Sequence, residues 1–75
     1  MTLYDDVLNV AKDYMGPTAE RFVNRQLNRY LDIEPHQLTE QHLKELAKWC
    51  CTSGKLVMRD KWAQEFSSKI EALRS

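Results

Sequence analysis

The sequence predicts an all-α fold of four short helices packed as a compact bundle, and three observations carry that expectation. Apolar residues recur at the i, i+3, i+4 spacing of a helix face through most of the chain. Period-two alternation is absent, which leaves no candidate strand. Caps and breakers fall where one apolar-periodic segment gives way to the next, and the two glycines stand at such ends.

The first helix is expected over residues 3 to 15. Thr2 is its N-cap, and Asp5 three residues on offers the reciprocal bond of a capping box and a favourable charge at the helix N-terminus. Leu3, Val7, Val10, Ala11 and Tyr14 share one face, with Leu8 and Met15 at its edge. Asp5, Asp6, Asn9 and Asp13 make the other face acidic, with Lys12 as the helix's only base.

Gly16 and Pro17 mark a corner, since glycine tolerates a left-handed C-terminal conformation and proline at the first helical position gives up no needed N–H. The second helix, from Pro17 to about Leu31, places Ala19, Phe22, Val23, Leu27 and Tyr30 on one face. Gln26 falls among them and needs a partner if buried; a main-chain carbonyl in the 32 to 38 corner is the expected one.

Pro35 disfavours helix at Glu34, and Ile33 and Leu38 read as apolar plugs holding that corner down. Thr39 is expected to cap the third helix, with Glu40 and Gln41 in its first turn. That helix turns Leu43, Leu46, Ala47 and Cys50 inward and runs to about Thr52, where Ser53 and Gly54 supply the stop. Leu56, Val57 and Met58 form a short apolar link expected to pack down. The fourth helix, from Arg59 or Asp60 to Leu73, aligns Trp62, Phe66, Ile70 and Leu73, with Ala63 beside them. The proline corner between the second and third segments favours crossed or orthogonal packing over an up-down bundle.

Seventy-five residues make one expected domain, residues 1 to 75. A chain this short buries only about 60% of its unfolded surface, so a cavity for a cofactor would cost core it lacks, and no cofactor is expected. The hydrophobic content of 43% is too high for a disordered chain. Lys plus Arg number 11 and Asp plus Glu number 11, so no global field is available to hold a polyanion or an anionic membrane. Nothing after Met1 resembles a signal peptide, and no apolar run approaches the ~20 residues that span a bilayer. The expected location is cytoplasmic, with no membrane partner. Cys50 and Cys51 are adjacent and point roughly 100° apart on a helix, so they do not staple distant parts of the chain.

Two clusters are candidates for function. Arg21, Arg25 and Arg29 are spaced i, i+4, i+8, which sets three guanidinium groups along one flank of the second helix. They either contact phosphates or are solvated or paired with Asp5, Asp6 and Asp13 across a helical hairpin, and the neutral net charge favours the second account. Trp49 sits off the apolar stripe of the third helix, near His42. It either anchors a partner, as large aromatics do at binding hot spots, or closes the edge of the core. Cys50 and Cys51 with His42 or His36 lack the second ligand pair that zinc spacings need, so no metal is expected. The carboxylates are scattered, and no glycine-rich loop exists to cradle phosphate. Neither an enzyme nor a small-molecule substrate is expected.

The order Gly16-Pro17-x-Ala19, Val23 and Leu27, Leu38-Thr39, Leu43-x-x-Leu46-Ala47, then Ala63 with Ile70-x-x-Leu73 resembles a small helical module of bacterial signalling proteins. That module often lies C-terminal to serine/threonine kinases or response regulators. The resemblance covers about residues 10 to 73 and implies an accessory, protein-binding role, with no catalytic or ligand residue to carry over. The chain carries Thr18 where the module usually has an aliphatic residue, and it reads as standing without a kinase or receiver domain. It is therefore expected to act in trans or as a homo-oligomer. The reading at this level is a non-enzymatic interaction module whose partner is another protein or a second copy, contacted through Trp49, His42, Arg25 and Arg29. The alternative is a helical nucleic-acid-binding domain with Arg21, Arg25 and Arg29 on phosphates.

Overall fold

The computed structural model describes residues 2–73, and they form an all-α globule with no strand among them. The first helix, α1 (Leu3–Met15), starts at a reciprocal cap. The Thr2 hydroxyl accepts the Asp5 N–H at 3.2 Å, and the Asp5 carboxylate accepts the Thr2 N–H at 3.2 Å. A helix start leaves such N–H groups without intrahelical partners. The helix ends at Gly16, whose φ of 61° and ψ of −132° mirror extended backbone, a region closed to residues with a Cβ.

A 3-10 turn, Gly16–Thr18, accommodates Pro17 and leads into α2 (Ala19–Gln26). α2 has only eight α-helical residues before it widens into a π-helical turn, Leu27–Leu31. Three long helices and one short one therefore stand where four comparable helices are expected. The i→i+5 bonding of the π turn breaks the 3.6-residue phase. Tyr30 consequently leaves the buried face that the sequence assigns it and is 40% exposed. Asp32 ends the turn in the left-handed region, with φ of 54°, which a short polar side chain tolerates.

A second 3-10 turn, Pro35–Gln37, carries the chain to Thr39, and Leu38 plugs the core as expected. α3 (Glu40–Gly54) runs past its expected end. Gly54 is its last helical residue, without the positive φ of a left-handed stop. Gly54 packs against α4 (Asp60–Ala72), where a Cβ would stand 3.4 Å from the Ala63 Cβ, at the near edge of ordinary contact. The two helices make the most extensive contact in the molecule, and the Ser67 hydroxyl donates to the Ala47 carbonyl across it at 2.8 Å.

All four helices feed one core, with fully buried Phe66 against Tyr14 and Phe22 at ring separations of 5.5 and 6.0 Å. α1 and α2 are joined by the Tyr4 hydroxyl, which donates to Asn24 Oδ1.

Three expectations are corrected. Trp62 is half exposed, because Ala63 faces Gly54 and the residue before it is turned roughly 100° away. Gln26 is buried as expected, but its Oε1 accepts from the Ser53 hydroxyl at 3.0 Å and not from the 32 to 38 corner. The link after α3 does not pack down as a unit. Only Met58 reaches the core, while Leu56 is 87% and Val57 64% exposed. The N–H groups of Leu56, Val57 and Met58 bond back to Ser53 and Gly54 carbonyls at 3.1, 3.0 and 2.8 Å. That tight winding leaves the first two side chains in solvent.

Candidate functional site

The outer flank of α2 and the α3–α4 link enclose an open groove of about 660 Å³. One wall is the arginine row: Arg21, Arg25 and Arg29 are all exposed and all line it, with Arg29 carried on the π turn. Leu56, Val57, Phe22 and Met15 supply apolar lining, and the Gln26–Ser53 hydrogen bond ties α2 to the end of α3. No Asp or Glu side chain is among the residues lining the groove.

The expected pairing of these arginines with Asp5, Asp6 and Asp13 is not formed: among the described residues no ion pair reaches any of the three guanidinium groups. The reason is angular. α2 meets α1 through Asn24, and Arg25 points roughly 100° further round the helix, towards the link. Solvated arginines, the other half of that expectation, are what the structure contains. A second hollow between α3 and α4, about 510 Å³, is lined by Lys44, Lys48, Glu45 and Glu71, so its charges are of both signs.

The remaining sequence-selected residues lie outside the groove. His42 Nδ1 accepts the Thr39 N–H at 3.1 Å and so serves the start of α3. Trp49 is partly buried and stacks on Tyr30 at 4.1 Å with planes 10° apart, while Lys48 Nζ stands 5.5 Å from the indole centroid. Its indole N–H is buried without a hydrogen-bond partner. Tyr30 itself lines the groove, so Trp49 backs the groove's end without entering it. Arg25 and Arg29 are brought together with Arg21; Trp49 and His42 are not brought to them.

The sequence singled out only the arginines of this groove as a site, and Leu56, Val57 and Phe22 are among the lining residues it did not. The available signal was Lys55 and Arg59, which bracket the apolar link with charges that stay in water. Cys50 is buried, and desolvation, followed by the neighbouring Cys51, pushes its thiol up to about 12. It is therefore a protonated core side chain at neutral pH. Among the described residues no three His, Cys, Asp or Glu side chains converge as a metal site requires, and no helix is long and apolar enough to cross a membrane.

No family model matches this chain, and no match is found among curated proteins or solved structures. The groove's chemistry thus rests on its own residues. It offers positive charge and apolar surface in one hollow.

Proposed function

We propose that the chain is a non-enzymatic protein-interaction module and that the groove between α2 and the α3–α4 link is its docking surface. The observation that carries this reading is the exposure of Leu56 and Val57 in one groove with three arginines that have no carboxylate partner among the described residues. Exposed apolar side chains scattered singly need no explanation, but two in sequence walling a groove form a patch that water solvates poorly. Arginine is among the residues enriched in interface hot spots, where its planar fork meets carboxylates bidentately. The resemblance to accessory modules of bacterial signalling proteins supports a place in signalling or regulation.

The arginine row also supports a second reading, contact with a nucleic-acid backbone. Zero net charge weighs against it, and so does the apolar wall, which phosphates would leave uncovered.

Site-specific photo-crosslinking in the native cell tests the proposal. A benzoylphenylalanine at Leu56 is expected to yield a discrete protein adduct, while the same group at Asn9 on the outer face of α1 yields none. Equal adducts from both positions, none from either, or nucleic-acid adducts at Leu56 would overturn it.

A further inference from the structure

We infer that the occupant of the groove is an amphipathic helix bearing carboxylates at i, i+4 and i+8 beside an apolar stripe. This rests on the reading of the groove as a docking surface and goes on to name the chemistry of what docks there. Four features of the molecule lead to it.

First, charge is segregated. The chain holds equal numbers of acids and bases, yet the groove is lined by three arginines and no acid. A partner that supplies carboxylates completes pairs that the fold leaves open.

Second, the spacing of the row matches a helix. Arg21 and Arg25 stand one turn apart on α2, about 6 Å along its axis, and Arg29 continues the row on the π turn. A helix laid alongside presents one side chain per turn on a given line, so acids at i and i+4 meet Arg21 and Arg25 in register, and one at i+8 comes nearest Arg29.

Third, the described residues offer an extended strand no sheet edge to join. Strand docking draws its affinity from main-chain bonds to an open sheet edge, and no strand exists among the described residues. A helix satisfies its own backbone and needs only side-chain contacts.

Fourth, a second copy of this chain is a poor fit. α1 is the chain's acidic helix, but its apolar face is spent on its own core, where Val7 and Ala11 are fully buried. A second α1 would bring Asp5 and Asp13 to the arginines and leave Leu56 and Val57 exposed. A polyanion such as a nucleic acid fails for the same reason.

The test titrates the full chain into a fluorescein-labelled peptide of about 18 residues, long enough to hold a helix. The peptide carries Glu at i, i+4 and i+8 and Leu on the adjoining stripe. Three further probes are a Glu→Gln version, a Leu→Ser version, and mixed-sequence single-stranded DNA. The acidic amphipathic peptide is expected to bind, with affinity falling about tenfold, or 1.4 kcal/mol, in each altered peptide and in the Arg25→Glu and Leu56→Ser chains. No binding of the first peptide, equal binding of the Glu→Gln version, or tighter binding of the DNA would overturn the inference. Photo-adducts from Leu56 with no peptide bound would show that the surface docks a protein of other chemistry. Loss of adducts at Leu56 would instead remove the surface itself. Both variants alter exposed side chains, and their helical circular dichroism reports whether the fold is intact.

Discussion

The corner at Gly16 and the corner at Gly54 carry the same sequence signal, a glycine closing an apolar-periodic segment, and only the first of them requires glycine. Gly16 has nothing within 4 Å of where a Cβ would lie, yet its φ of 61° admits glycine. Gly54 has ordinary helical backbone but abuts Ala63 at 3.4 Å. The first corner is conformational, and the chain folds straight back into the next helix. The second is a helix contact with room for a methyl: α3 and α4 meet at Gly54 and Ala63, and the link between them leaves Leu56 and Val57 outside the core. Closure along the α3–α4 seam goes with apolar surface left open at the groove.

The largest expected effect tests the closed side. Phe66→Ala removes the fully buried ring on which Tyr14 and Phe22 pack, and should cost about 3–5 kcal/mol in denaturant unfolding. A loss below about 1 kcal/mol would mean that α4 does not seal the core as described.

Alkaline pH probes the same side. Cys50 sits near 12 when folded against 9.0 for a free thiol, so the folded chain keeps a proton that the unfolded chain releases. Its contribution is complete below pH 9 and is lost as pH rises from there towards 12, by about 1.4 kcal/mol per pH unit. Cys50→Val should lack that part of the slope when the two chains are compared by urea unfolding across this window. Identical slopes would show that the thiol is not shielded.

The two glycines give the sharpest contrast. Gly16→Ala should destabilise by about 1–3 kcal/mol despite the open space around it, and Gly16→Asn should not rescue it, because ψ of −132° lies outside the left-handed region that asparagine tolerates. Gly54→Ala fits at ordinary contact distance and gains helix propensity, so it should be neutral or stabilising by up to about 1 kcal/mol. Equal losses at both positions in thermal melts would erase the distinction between the corners.

The helical pattern was legible because capping and apolar spacing are local. Thr2 with Asp5, Gly16 before Pro17, and the inward faces of α1 and α3 all stand where the sequence puts them. The arginine row was legible as a row, but not what it faces, since the direction of α2 relative to α1 depends on packing through Asn24. Leu56 and Val57 are expected to pack down with Met58 because a short apolar run gives no sign of its own burial. The turn that winds the link back onto the Ser53 and Gly54 carbonyls decides it. Tyr30 was misplaced because a π turn leaves no mark in an apolar period.

The smallest expected effect on stability belongs to the open side, and there the central claim is most exposed. Leu56 is 87% exposed and should serve binding without serving the fold. Titrating the acidic amphipathic peptide into the Leu56→Ser chain, with thermal unfolding recorded on the same sample, separates the two roles. Stability within about 0.5 kcal/mol of the unaltered chain, together with about tenfold weaker peptide binding, is the expected result. A clear loss of stability with unchanged affinity would place Leu56 in the fold and contradict the account.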